Sequence, residues 1–289
     1  MTNSSTALDG LDAIVDLDRF PIHRIDSSVR SDLVADTRDQ MDAVGCCRIS
    51  DFIRPEAVEA MLAEANSLHD QTYYSQHDHN PYASPDDDSF PDGHPRRVFQ
   101  TRTSGFINSD ILPQQSLLNQ IYDDNVVTHF FWECLGVDKP IYKWADPLGC
   151  NPYGVMDPGH VFPWHYDGNE FTVSILVQKA DEGGVFEYVP DIRQPNNEHY
   201  ERVQAVLEGS REGVHELDLI PGDLQLFKGR FSMHRVTQIV GNTTRFIGLP
   251  TYVHDPWRMN RPHHSINYYG RATQLHHDRA AVLVDGLVD

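Results

Sequence analysis

Apolar and polar positions fall into two textures along the chain. From Ser28 to Ala43, SVRSDLVADTRDQMDA repeats with a helical period and sets Val29, Leu33, Val34 and Met41 near one face. Gly45 stops it, CCRISDFI reads as a short strand, and Pro55 opens a second helix, PEAVEAMLAEANSLHD, with acids early, as a helix N-terminus prefers. Leu112 to Leu135 predicts a further helix through Leu117, Leu118, Ile121, Val126, Phe130 and Phe131. From Ile141 the texture changes. KWAD, NPYGV, FTVSILVQ, GVFEYVP, VHELDL, GDLQLF, HRVTQIV and TRFIGLPTYV are short apolar runs divided by Gly, Pro and Asn. Short strands at this spacing predict a β-sandwich or jelly roll. The expectation is an α+β, mainly β fold, with N-terminal helices (about 1–140) bracing a jelly-roll core (about 141–255) and a tail over 256–289. No linker divides these parts, so 1–289 reads as one domain.

Three stretches fit neither texture. Gln71 to Pro95 is rich in Asp, His, Pro and Ser and has no period. It reads either as a solvated loop or as a cover over a site. Within it, His77 and His79 read as a surface pair, because no further ligand stands near them in sequence. Arg96 to Asn108, RRVFQTRTSGFIN, alternates as a strand does, and the tail from Pro256 is irregular and placed to fold back over a site.

Composition narrows the function. The chain has 289 residues with 39% hydrophobic and 23% charged content, the make-up of a soluble globular protein. A net charge of −20 repels phosphate backbones and argues against nucleic acid as a partner. No Lys/Arg cluster suits anionic lipid, and no apolar run spans a bilayer, so no membrane partner is expected. MTNSSTALDGLDAIVD lacks a basic start followed by an apolar run, which makes the cytoplasm the expected compartment. Cys46, Cys47, Cys134 and Cys150 form no CxxC pair and read as reduced, buried thiols.

Candidate chemistry centres on FPWHYDGNEFTVSILVQ, residues 162–178. In an extended strand, residues two apart share a face, so His165 and Asp167 point into one space. Trp164 and Tyr166 then face the other way, into helix packing. A third ligand has to come from elsewhere, and His234, after the turn-strand-turn of IPGDLQLFKGR, is the candidate. Two imidazoles and one carboxylate on one octahedral face leave three positions open, the donor set of non-heme iron(II) oxygenases. Arg245, eleven residues beyond His234, falls on the next strand. If its guanidinium points inward it needs an anion, and a carboxylate is its natural partner. A bland alternative pairs Arg245 with Asp223 or Glu187.

HYD, the distal His after PGDLQLF, and the Arg eleven further on together resemble the iron(II)/2-oxoglutarate-dependent oxygenases over about Asn151 to Val253. That resemblance implies a double-stranded β-helix core. It implies iron(II) on His165, Asp167 and His234, the distal carboxylate of 2-oxoglutarate on Arg245, and dioxygen as oxidant. Tyr153, in NPYGV, stands where the family often has a helper hydroxyl for that carboxylate. Many relatives have a Ser two residues after the Arg, and here the position is Ile247. HYDGNEFTVSILVQKADEGGVFEYVPDIR is also similar to a subgroup of free-amino-acid halogenases and hydroxylases. Halogenases of this kind carry Gly or Ala where this chain keeps Asp167, so the similarity implies hydroxylation of a small molecule such as a free amino acid. It also implies Arg102 as a clamp for a substrate carboxylate. Relatives that take a basic amino acid have an acid straight after the carboxylate ligand, whereas here it is Gly168. The rival readings are desaturation or cyclisation by the same cofactors, a non-catalytic metal-binding jelly-roll protein, and a cupin-like isomerase.

Overall fold

A computed structural model describes residues 10–281 and 283–288. Its helical layer forms where the periodicity predicts. One helix runs Ser28–Val44 and ends at Gly45, whose φ of 69° is left-handed; a Cβ there would also strike Pro190. The next runs Pro55–Leu68. Val34 and Met41 are buried in the first helix, but Val29 is exposed and Arg30 takes its place on the inner face. The expected helix over 112–135 is two helices, Leu117–Asp123 and Asn125–Leu135. Asp124 breaks it: its carboxylate accepts the Val126 and Val127 N–H groups, capping the second helix instead of continuing the first.

The core is two antiparallel sheets face to face. In the larger, strands run in the order Cys46–Ile49, Leu224–Phe227, Phe171–Gln178, Arg245–Gly248, Tyr153–Met156, Gly105–Ile107 and Tyr73–Tyr74. In the smaller the order is His215–Leu217, Phe186–Val189, Met233–Val236 and Phe162–His165. From Tyr153 onward the chain passes repeatedly between the sheets, which is the jelly-roll winding. Side chains of the larger sheet divide by parity. Val173, Ile175, Val177, Leu224, Leu226, Phe246, Tyr153 and Val155 pack with Met61, Phe130 and Phe131 from the helices. Each apolar side chain buried there stabilises the fold by about 1.5–3 kcal/mol. Their neighbours Thr172, Ser174, Gln225, Phe227, Arg245, Ile247, Gly154 and Met156 face the cavity between the sheets.

All three stretches outside the two textures carry secondary structure. His77–His79 is a strand paired with Gln100–Arg102, His77 opposite Arg102, so neither a solvated loop nor a surface histidine pair describes it. Arg96 to Asn108 holds two strands, Gln100–Arg102 and Gly105–Ile107, in different sheets. The tail carries helices Pro262–Tyr269 and Gln274–Arg279, and Tyr200–Leu207 is a helix that the short-strand reading missed. Trp164 and Tyr166 pack against Val203 and Val206 of that helix, on the side away from His165. The four cysteines are free; all but Cys150 are buried. Among the described residues no helix is long and apolar enough to cross a membrane.

Candidate metal centre and co-substrate pocket

Strand pairing brings the two histidines together. His165 and His234 are cross-strand partners in the smaller sheet, with imidazole centroids 4.1 Å apart. Asp167 follows the strand end, and its N–H donates to the Gly229 carbonyl at 3.1 Å. Its Oδ1 lies 3.5 Å from His234 Nε2 and 3.9 Å from His165 Nε2. One donor atom from each of the three residues lies within 4.8 Å of the others, the sole such group among the described residues. Both rings are oriented the same way. His165 Nδ1–H donates to the Pro163 carbonyl (2.8 Å) and His234 Nδ1–H to the Ser232 carbonyl (3.0 Å). Each Nε2 is thereby left as a lone-pair donor facing Asp167, the tautomer a metal requires. Burial, and then the neighbouring His234, hold the His165 imidazole well below its ordinary pKa and so keep it neutral. Two imidazoles and a carboxylate converging from one side fit a divalent iron with open positions.

Arg245 lies on the larger sheet opposite Met156 and lines the same cavity as the three donors. It is 5% exposed, and burial pulls its guanidinium to about 10, still a cation at neutral pH. Among the described residues it has no hydrogen-bond or ion-pair partner. The bland pairing does not occur: Asp223 is bound to Arg48, and Glu187 to Arg211 and Arg235. A buried cation without an anion is costly, so this position is built for a ligand that brings one.

Tyr153 is placed elsewhere. It is on the helix-facing side of its strand, and its hydroxyl donates to Glu64 Oε1 at 3.0 Å. Odd parity sends Tyr153 and Val155 outward, while Gly154 and Met156 face the cavity, so the hydroxyl is turned away from Arg245. The cavity-facing hydroxyls on the strand beside Arg245–Gly248 are Thr172 and Ser174, which alternation in FTVSILVQ could have flagged.

Arg102 is fully buried behind the cavity wall. Its Nε donates to Ser104 Oγ (2.7 Å), and its guanidinium lies 4.4–5.1 Å from the ring centres of Tyr268, Phe162 and Phe106. Both terminal nitrogens are without partners, and burial lowers the group to about 10. His79, read from sequence as a surface residue, is buried beside it. Its Nδ1–H donates to the Asn80 carbonyl, its Nε2 is unpartnered, and its ring centre is 6.4 Å from that of His165. Burial lowers it to about 4. No period could have exposed His79, because its strand has three residues and owes its place to Gln100–Arg102. His160 caps a turn, its Nδ1 accepting the Asp157 N–H. The tail does fold over the site: Arg258, Asn260, Arg261, His264 and Tyr268 line the cavity mouth, while Trp257 is exposed.

A family model described as Halogenase D matches residues 29–264. The chain belongs to the Halogenase D family. No curated protein sequence matches this Halogenase D-family chain. Among solved structures it is similar to the epimerase SnoN of nogalamycin biosynthesis, in complex with Fe3+, alpha ketoglutarate and nogalamycin RO, at 11% identity. That likeness covers 77% of this chain and 84% of that one, with a TM-score of 0.53. AviO1 from Streptomyces viridochromogenes Tue57 is 15% identical over 79% of this chain and 97% of that one, with a TM-score of 0.53. A prolyl hydroxylase from Trichoplax adhaerens, in complex with a hypoxia inducible factor peptide fragment, is 16% identical over 80% of this chain and 94% of that one, with a TM-score of 0.51. At such identities the likeness is one of fold. The fold of this Halogenase D-family chain is that of the iron(II)/2-oxoglutarate oxygenases.

Proposed function

We propose that this Halogenase D-family protein is an iron(II)- and 2-oxoglutarate-dependent dioxygenase that hydroxylates an unactivated C–H of a small molecule, a free amino acid or related small carboxylate. One observation carries the reading: a two-histidine, one-carboxylate donor set shares a cavity with a buried guanidinium that no carboxylate among the described residues neutralises. His165, Asp167 and His234 would hold the metal, and Arg245 would pair with the far carboxylate of 2-oxoglutarate. Iron(II) with 2-oxoglutarate and dioxygen supplies oxygen insertion into the C–H bond, with release of succinate and carbon dioxide.

The chain's own part is to bind, orient and dry the site. The Pro163 and Ser232 carbonyls fix which imidazole nitrogen faces the metal. Phe162, Phe186, Phe227 and Val236 line the walls around the donors and keep bulk water out. Arg102, with two unsatisfied nitrogens, is the candidate for a substrate carboxylate; Tyr268, carried on the tail, covers it and would have to yield. The cavity holds about 200 Å³, which favours a small substrate over a peptide. Because Arg258 and Tyr268 from the tail line the same cavity as the strands, we take 1–289 as one oxygenase unit.

The description of the matching family favours a second reading, halogenation. Asp167 weighs against it, since its carboxylate stands where a halide would bind. Aerobic turnover of an amino-acid panel with iron(II), 2-oxoglutarate and chloride separates the two. Substrate-dependent succinate with a product gaining one oxygen atom supports hydroxylation. A product in which chlorine replaces hydrogen supports halogenation, and loss of two hydrogens supports desaturation or cyclisation. No succinate with any substrate, and no iron in the purified protein, would sink the proposal.

A further inference from the structure

The two oxygens of Asp167 have different surroundings. Oδ1 faces both imidazoles. Oδ2 accepts a hydrogen bond of 2.9 Å from Thr172 Oγ1. That hydroxyl is itself oriented: Asn169 Nδ2 donates to Thr172 Oγ1 at 2.8 Å and to the Phe171 carbonyl at 3.2 Å. With its lone pair engaged by the amide, the Thr172 proton is left to point at Asp167. Gly229 packs against the same carboxylate: its carbonyl accepts the Asp167 N–H, and a Cβ at 229 would overlap Oδ2, so only bare backbone leaves room for the acid.

The turn bearing Gly229 is anchored. Arg230 is fully buried and binds both oxygens of Asp285, through Nε at 2.5 Å and Nη2 at 2.8 Å. Arg193 Nε donates to the Arg230 carbonyl at 2.7 Å. The same turn supplies the Ser232 carbonyl that orients His234. One rigid loop therefore backs two of the three donors.

We propose that Thr172, oriented by Asn169 and helped by the close approach of Gly229, is a positioning residue that confines Asp167 to binding the metal through a single oxygen. The inference rests on reading the site as an iron centre. Among the described residues Thr172 hydrogen-bonds to none of the three donors but Asp167. Its hydroxyl occupies Oδ2, so the carboxylate neither turns to offer both oxygens nor swings aside to leave its place to an outside anion. The family's halide chemistry needs that place vacant; here it is held shut by a residue five positions further along the chain.

The test is the anaerobic complex with iron(II) and 2-oxoglutarate, followed by visible absorption and titrated with azide as the anion probe, in wild type, Thr172→Val and Thr172→Ser. In wild type, azide can reach only the one position that the three donors and 2-oxoglutarate leave, so a single azide-binding phase is expected. In Thr172→Val the band shifts, iron binds roughly 10- to 100-fold more weakly, and a second azide-binding phase appears; Thr172→Ser restores wild-type behaviour. A valine variant with wild-type iron affinity, band and azide response would overturn the proposal, as would a serine variant that resembles valine. Should the valine variant not fold, Asn169→Ala decides, since losing the orienting amide is expected to shift the band in the same direction, and an unchanged band rejects the clamp. If wild type itself takes up neither iron nor 2-oxoglutarate, the failure lies with the iron-centre reading and is seen before any variant is made.

Discussion

His165 and His234 stand directly opposite each other on adjacent antiparallel strands, and that pairing alone brings residues far apart in sequence within one metal's reach. A slip of one residue would turn His234 to the outer face with Met233. The strand is held by Phe186–Val189 on its other edge, so the register does not depend on a bound ion. His234→Gln is therefore expected to keep the fold, with a melting temperature within a few degrees of wild type, while iron per chain falls close to zero. Metal analysis after anaerobic loading, beside circular dichroism, checks both halves.

Arg245 should reveal itself by separating stability from binding. Replacing a buried, unpaired cation by an apolar group of similar length is commonly neutral or stabilising. Arg245→Met is expected to melt no lower than wild type without ligand. Its KM for 2-oxoglutarate should rise by about 30-fold or more, as loss of one partner of a buried charge pair costs about 2–5 kcal/mol. Added 2-oxoglutarate should raise the melting temperature of iron-loaded wild type and not of the variant.

Tyr153 gives the opposite pattern. Its hydroxyl serves Glu64 in the helical layer, not the cavity. Tyr153→Phe should lower stability by about 1 kcal/mol and leave the KM for 2-oxoglutarate unchanged. Denaturant melts and steady-state kinetics measure the two effects. A raised KM would put the tyrosine back in the co-substrate site.

For Arg102 the expected signature lies with the primary substrate. Arg102→Met should weaken substrate binding by at least 10-fold while leaving the spectrum of the iron–2-oxoglutarate complex as in wild type. Isothermal titration with a turnover-positive amino acid, against the same compound lacking its carboxylate, distinguishes a clamp from a packing residue. Only a clamp makes the variant indifferent to that carboxylate.

Acid should destabilise the fold through His79. Its folded pKa is lowered to about 4 by burial, below the ordinary value of 6.5. The unfolded chain thus binds a proton first as pH falls. The stability contributed by neutral His79 is complete above about pH 6.5 and is lost as pH drops toward 4, on the order of 3 kcal/mol in all. His79→Phe should flatten that part of the stability profile, read from urea midpoints across the window.

Much of the site was legible because its residues obey strand parity. His165 and Asp167 two apart and a turn before the distal histidine are local patterns that survive folding, whereas Arg245 reaches the cavity from the opposite sheet and not from the strand beside His234. Tyr153 shows where local reading ends. NPYGV marks a strand, but which face meets the cavity depends on Arg245 pairing with Met156 across ninety residues of chain. His79 was hidden for a related reason: a strand of three residues has no period, and its burial comes from the paired strand ending at Arg102 and from the Phe162 and His165 rings. Asp124 shows a third limit, since one carboxylate choosing two N–H groups split an apolar pattern that looked continuous.

We propose that His165, Asp167, His234 and Arg245 form one site for iron(II) and 2-oxoglutarate. Anaerobic titration of the metal-free protein with iron(II) and then 2-oxoglutarate, read by visible absorption, tests it most directly. The expected result is a charge-transfer band that saturates at one equivalent of each, disappears in His234→Gln and needs far more 2-oxoglutarate in Arg245→Met. A wild-type protein that binds iron(II) yet gives no band with 2-oxoglutarate, or a band unaffected by either substitution, would contradict it.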